Sequence, residues 1–320
     1  MKTPIMIFCP NSDKTEEQRI SELFDEIKSW IYSDSLRKLI RLSEGNELAD
    51  NIGYDFFSDI SQIENFAQIW DFRKGQERWA VTGNDIIEQH RDEIMQCAEE
   101  LGLVNKVEPQ QEPDYILPLG GARRANKDRP AVARKLIDDY HWKDKYVIAL
   151  SGMRKISDIE KPYMDYAPDA VTEYDAINRG MELAFDVSEY KEENHEEKNF
   201  FLNSALRRYE DRYNGSQIYS ISAPSTEPDN RRANSKDTFR YFLTKFGIEP
   251  HDRILLVTSS IYVPYQTLKF MELAIDGGFE VDCVGSDVVS KDSFSNASNY
   301  LQEIKATIDA IYTIGQSYQG

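Results

Sequence analysis

PDYILPLGGARRANKDRPAVARKL, residues 113–136, decides the fold. An apolar run leads into a Gly-Gly turn crowded with arginine, and a helix opened by proline follows. A comparable order recurs at 234–267, where a capped helix leads through the buried run ILLVTSS (254–260) into another helix. Strand, polar loop and helix in succession are how a parallel sheet builds an anion site, because the unbonded amides of a helix start carry partial positive charge.

Outward from these two segments, strands are expected near 115–119, 146–150, 217–221, 254–258 and 280–284. Helices are expected near 130–140, 173–187, 235–246, 264–276 and 297–313. Alternating strands and helices with right-handed crossovers predict a Rossmann-like, doubly wound α/β domain with a mainly parallel sheet of about five strands. The stretch 153–216 is too long for a simple crossover and reads as an insertion. Its first part, ISDIEKPYMDYAPDAVTEYDA, reads as a lid over the site or as a surface loop. Its charge run EYKEENHEEK (189–198) reads as a solvated helix face or loop.

Residues 1–110 form a mostly α-helical N-terminal domain on this reading, and 111–320 the α/β domain. Ile20, Leu23, Phe24, Ile27, Trp30 and Ile31 repeat at helical spacing, and Leu36, Leu39, Ile40 and Leu42 continue in a second helix. The aromatic residues Tyr54, Phe56, Phe57, Phe66, Trp70, Phe72 and Trp79 are expected to fill the space between helices. One helix is expected from Asp85 to Leu101, capped by Asn84 and ended by Gly102. The boundary falls in LVNKVEPQQEP (103–113), a polar connector with two prolines and no periodicity.

Composition narrows the function. A net charge of −18 opposes a general affinity for nucleic acid. No apolar run approaches the ~18–20 residues that span a bilayer, and MKTPIMIFCPNSD is too short in its apolar part for a signal peptide. The expectation is a cytoplasmic protein with no membrane partner. Cys9, Cys97 and Cys283 are too scattered for a zinc site or a disulfide framework and read as reduced thiols. The four histidines sit in helix-like or loop sequence rather than at strand ends, which gives a Ser-His-Asp mechanism little support. Against the acidic background, the arginines at 123, 124, 129 and 134 stand out.

In open parallel sheets ligands bind beyond the carboxyl ends of the strands. Those ends supply Gly120, Gly121, Arg123 and Arg124; Ser151, Gly152 and Arg154; Ser222 through Arg232; Thr258, Ser259 and Ser260; and Gly285, Ser286 and Asp287. Glycine lets a ligand approach the backbone, and small hydroxyls add donors without filling the pocket. Neither G-x-G-x-x-G nor a Walker-type phosphate loop occurs. No compact Asp or His cluster points to a metal.

These motifs resemble the bacterial YdcF/SanA/ElyC family of unknown function. ILPLGG (116–121), Arg134 within PAVARKLIDDY, VIALSG (147–152), Glu173 at the head of a helix, Arg232-Ala233-Asn234-Ser235-Lys236-Asp237-Thr238 and VTSS (257–260) follow the family's order. The resemblance covers roughly 113–290 and leaves the helical N-terminal part outside. Relatives in that family usually carry His and Arg after the Val-Thr-Ser strand, where this chain has Tyr262 and Tyr265. If that pair carries the family's chemistry, this chain has lost or replaced it. Pro118 also departs from the pattern, because a parallel strand loses a ladder hydrogen bond there. The resemblance implies a Rossmann-like fold and, by way of the cytosolic YdcF, S-adenosylmethionine as a candidate ligand.

The expected ligand is anionic, nucleotide-like or phosphorylated, and the protein binds it, with or without transferase or hydrolase chemistry. Arg124 and Arg134 would pair with its anionic groups, because a guanidinium holds two oxygens at once. Gly120, Gly121, Ser151 and Gly152 would cradle it, and Arg123, Arg232, Asn234, Ser235, Thr258 and Ser259 complete the expected binding set. Glu173 and Asp237 are the candidates for a base, each with arginine orientation as the alternative. The competing reading is a non-catalytic sensor or interaction module whose helical domain docks a partner or a second copy.

Overall fold

The computed structural model describes residues 13–74, 85–104, 108–286 and 296–318. Six helices come first: α1 (Glu16–Ile31), α2 (Asp34–Leu42), α3 (Asn46–Asn51), α4 (Phe56–Ala67), α5 (Asp85–Gln89) and α6 (Arg91–Glu100). Thr15, Ser33 and Asp55 cap α1, α2 and α4 with their side chains, each satisfying an amide that the first turn leaves open. The helix expected over Asp85–Leu101 is broken at His90. Glu88, just before the break, accepts the Ala297 amide at 2.7 Å. Trp79 and Asn84 lie outside the described residues.

Among the described residues the sheet has seven strands in the order β3-β4-β5-β2-β1-β6-β7. The five expected strands are β1 (Tyr115–Pro118), β2 (Tyr146–Ser151), β5 (Ser216–Ser222), β6 (Arg253–Ser259) and β7 (Glu280–Ser286), all parallel. Pro118 ends β1, and the ladder resumes at once through the Leu119 amide on the Val257 carbonyl at 3.0 Å. Helices α7 (Ala125–Asp139) and α8 (Glu173–Phe185) cover one face. Helices α9 (Ser235–Phe246) and α10 (Val263–Gly277) cover the other. Neighbouring residues divide accordingly: Ile116, Val147 and Leu255 face α7 and α8, while Leu117, Ile148 and Leu256 face α9 and α10. This is the continuous apolar run of a strand buried on both sides.

Two antiparallel strands correct the sequence expectation. The charge run at 189–198 is mostly β3 (Tyr190–His195), and β4 (Ser204–Tyr213) joins it to β5. An edge strand needs no apolar periodicity, and charge on it discourages pairing with another chain. Here the charges also pair across the sheet: Arg207 holds Glu192 at 2.9 Å, and Lys191 holds Glu210 at 3.0 Å.

The N-terminal helices do not close a core of their own. They pack with α11 (Ala297–Ser317), from the other end of the chain, and with the outer face of α10 around Trp30, Leu39, Ile63, Met271, Leu301 and Ile308. Trp30 donates its indole N–H to Leu101 at 3.1 Å and Trp70 to Ser43 at 3.0 Å, so both buried rings are satisfied. Among the described residues no helix is long and apolar enough to cross a membrane. Cys97 and Cys283 are buried thiols, and Cys9 lies outside the described residues.

Candidate functional site

The connections run from β1 to β2 to β5 in one direction and then cross back past β1 to β6 and β7. The order therefore reverses between β1 and β6. The first crossover helix lies on one face and α10 on the other, which opens a crevice at the carboxyl ends of those strands. A cavity of about 520 Å3 occupies this edge, within the range of small-molecule sites.

Its first wall is the β1–α7 loop. The Gly120 amide reaches the Leu150 carbonyl at 2.6 Å. A Cβ at Gly120 would lie 2.5 Å from Glu173 Oε1 and 2.9 Å from Leu150 O, so no side chain fits. Asn126 locks the turn, accepting the Gly121 amide at 2.9 Å and donating to the Gly121 carbonyl at 2.7 Å. Arg129 is buried and donates to the carbonyls of Leu119 and Gly120 and to Ser259 Oγ at 3.2 Å. Arg129 therefore ties the β1 wall to the β6 wall.

Arg123 takes a left-handed conformation with φ of 56°, which costs a residue with a Cβ roughly 1–2 kcal/mol. The segment after β2 compensates. Tyr166 donates its hydroxyl to the Arg123 carbonyl at 3.0 Å, and the Tyr163 ring lies under the Arg123 guanidinium at 4.4 Å. Asp165 comes within 3.5 Å of Arg124. Residues 153–172 thus form a wall folded against the arginine loop.

That wall hangs on Arg154. Its guanidinium is bidentate on Glu160 at 2.7 and 2.8 Å and reaches Glu173 Oε2 at 3.0 Å. Burial works against the charge on Glu160, but Arg154 and the Ser157 amide and hydroxyl outweigh it and hold the carboxyl down at about 2. Burial also opposes the charge on Arg154, and the two carboxylates raise its pKa overall. Glu173 lines the cavity, with Oε2 held by Arg154 and Oε1 next to Gly120.

The remaining sequence candidates divide. Gly120, Gly121, Arg123, Arg124, Ser151, Gly152, Arg232, Asn234, Ser235 and Ser259 line the cavity, as do Tyr262 and Tyr265. A Cβ at Gly152 would meet nothing within 4 Å, so the cavity is open there. Arg134 is elsewhere. Helix α7 begins at Ala125 rather than near 130, which puts Arg134 nine residues in, about 13 Å along the axis. There it donates to Asp138 at 2.8 Å and the Ala184 carbonyl at 3.0 Å, stacked on Tyr213. Asp237 does not line the cavity either: it is buried, paired with Arg231 and Thr226, and completes a capping box with Asn234. Burial raises its pKa, but Arg231, Thr226 and the Asn234 amide bring it below the usual carboxylate range. Gly285 packs against Ser260 instead of lining the cavity, and Asp287 lies outside the described residues.

Thr258 is fully buried and its hydroxyl has no hydrogen-bond partner. Thr258→Val keeps the shape and removes an unsatisfied group, so a gain of about 1 kcal/mol is expected in urea unfolding. A loss of stability would give the hydroxyl a role that the fold does not show.

Several lining residues carry no local sequence signal. Arg73 comes from the helical layer, held through its amide on Gln302 at 2.9 Å. Tyr163, Phe201 and Asn203 come from the insertion, and Gln266 from the second turn of α10. Seven arginines and two carboxylates, Asp128 and Glu173, contribute to the lining. Among the described residues no three His, Cys, Asp or Glu side chains group as metal ligands.

Comparison with known proteins reaches both halves of the chain. A family model described as Rv3785 N-terminal domain matches residues 14–102, the helical layer. Two relatives are the uncharacterized protein Rv3785 of Mycobacterium tuberculosis (strain ATCC 25618 / H37Rv) and the uncharacterized protein Mb3814 of Mycobacterium bovis. Each is 25% identical over 334 residues, covering 94% of this chain and 92% of the relative. No solved structure matches.

Proposed function

We propose that the cavity binds a phosphorylated small molecule. One observation carries this reading: seven arginines from both sides of the switch point converge on one crevice in a chain of net charge −18. Concentrated positive potential in a low-dielectric cleft selects anions. Arg129, Arg154 and Arg231 are committed to holding walls in place. Arg123 and Arg124, on the glycine turn at the switch point, are assigned to the ligand, together with Arg232 from the loop after β5. Arg73 makes the helical layer part of the pocket, which favours ligand binding over a separate docking module. The YdcF-like motifs ILPLGG and VIALSG supply two walls of this same cavity, which is what their resemblance contributes.

S-adenosylmethionine is the weaker ligand. Its sulfonium and ammonium outweigh its single carboxylate, so its net charge is repelled by the lining. The end of β2, Ser151-Gly152, also has no carboxylate to hold a ribose. Of the two candidate bases Glu173 lines the cavity and Asp237 does not, and Asp128 is the other carboxylate of the lining.

Thermal unfolding with pyrophosphate, inorganic phosphate and S-adenosylmethionine tests the reading. A ligand at a hundred times its Kd adds about 2.7 kcal/mol, or a rise of roughly 5 °C for a chain of this size. Pyrophosphate is expected to give such a rise, weakened by salt, and Arg123→Ala with Arg124→Ala to abolish it. Arg134→Ala, outside the cavity, should retain it. A rise that survives the Arg123 and Arg124 changes, or a larger one with S-adenosylmethionine, would reject the proposal.

A further inference from the structure

Phe201 is 40% exposed where it lines the cavity, whereas Leu119, Leu150 and Phe239, which also line it, are buried. An exposed phenylalanine gains little from burial, yet the fold fixes the backbone of this one through both its amide and its carbonyl. It lies in the short turn Phe200–Leu202, its amide donates to Asn199 Oδ1 at 3.1 Å, and its carbonyl accepts the Ser225 amide at 2.7 Å. Asn199 in turn donates to the Pro228 carbonyl at 3.1 Å. The β3–β4 link is thereby pinned to the loop that follows β5, with the ring at the cavity wall. The neighbouring Phe200 instead lies under Lys155.

Two residues further on, Asn203 also lines the cavity. Its Oδ1 accepts the Glu197 amide at 2.8 Å, which fixes the side-chain amide and leaves Nδ2 as the donor. A flat apolar face beside a fixed N–H donor fits a planar heterocycle that carries acceptors. Arg123 and Arg124 line the same cavity from the β1–α7 loop, and Arg232 from the loop after β5.

We propose that the phosphorylated ligand is a nucleotide, its base stacked on Phe201 and read by Asn203, its phosphates held by Arg123 and Arg124. This rests on the anion-binding reading above and deepens it to a substrate class. A sugar phosphate would use the arginines and leave Phe201 without a role. A base gains from the ring whatever its identity, because every base has a π face, and the amide donor adds selection among acceptors.

Calorimetric titration with pyrophosphate, ribose 5-phosphate, ADP and UDP separates the two levels. The nucleotides are expected to bind the wild-type protein about 5- to 100-fold tighter than pyrophosphate. Phe201→Ala should remove that increment and leave the pyrophosphate Kd unchanged, and Phe201→Trp should restore it. Nucleotides that bind no tighter than pyrophosphate, ribose 5-phosphate that matches them, or an increment that survives Phe201→Ala would each overturn the nucleotide assignment while leaving the anion site intact. Failure of all four compounds to bind would overturn the anion site and this inference together.

Discussion

Replacing Arg154 by methionine is expected to cost about 3–5 kcal/mol of stability, because it strands two carboxylates that share one buried guanidinium. Glu160 is 1% exposed and takes both terminal nitrogens, while Glu173 takes Nε. The pair also carries a pH signature. The Glu160 carboxyl is held at about 2, below its ordinary 4.5. A depressed acid contributes stability that is complete above its unfolded pKa and is lost as pH falls through the folded one. Wild-type stability should therefore decline between about pH 5 and pH 2, by a few kcal/mol from this group. In Arg154→Met that acid-side decline should shrink, since the charged form of Glu160 no longer has its partner. Urea unfolding at a series of pH values measures both effects. A loss under 1 kcal/mol at pH 7, or an unchanged acid profile, would show that Arg154 does not hold the wall. The wall is also part of the site: Tyr163, Asp165 and Tyr166 reach Arg123 and Arg124 from it. Ligand affinity should fall along with stability.

Gly180→Ala is a test of sign. Within a helix, alanine is favoured over glycine by about 1 kcal/mol, so local propensity predicts a gain. The tertiary structure predicts a loss of about 3 kcal/mol through overpacking. A Cβ on Gly180 of α8 would lie 1.8 Å from the Asn126 carbonyl oxygen and 3.2 Å from the Lys127 Cα, both backbone of α7. Neither can move without separating the two helices. Asn126 is also the residue that locks the Gly121 turn, so the displacement passes into the arginine loop. Chemical denaturation gives the stability change and pyrophosphate titration gives the effect on the site. A stabilised Gly180→Ala protein would mean that α7 and α8 do not approach this closely.

Legibility in the sequence follows burial. The five parallel strands were readable because each is covered on both faces, which demands runs such as VIAL and ILLV. Strands β3 and β4 were not, because one lies at the sheet edge and its charges answer to cross-strand partners rather than to a period. The start of α9 was readable from Asn234 and Asp237, three apart as a capping box requires. The start of α7 was misplaced by five residues, since Arg124 provides no side-chain cap. That error exchanged Arg134, a packing residue, for Arg129, which joins the two walls.

The sequence by itself determined the alternation of strands and helices, the loops that end the parallel strands and most of the glycines and arginines that line the crevice. Periodicity, caps and glycine turns are local, and a chain displays them wherever they act. Only the tertiary structure decided that Arg129, Arg154 and Arg231 hold walls. It also brought in Arg73 from the helical layer and Phe201 from the insertion. Arg73 is placed through Gln302 and Arg129 reaches Ser259, and no local pattern encodes such partners because the contacts exist only once distant elements pack.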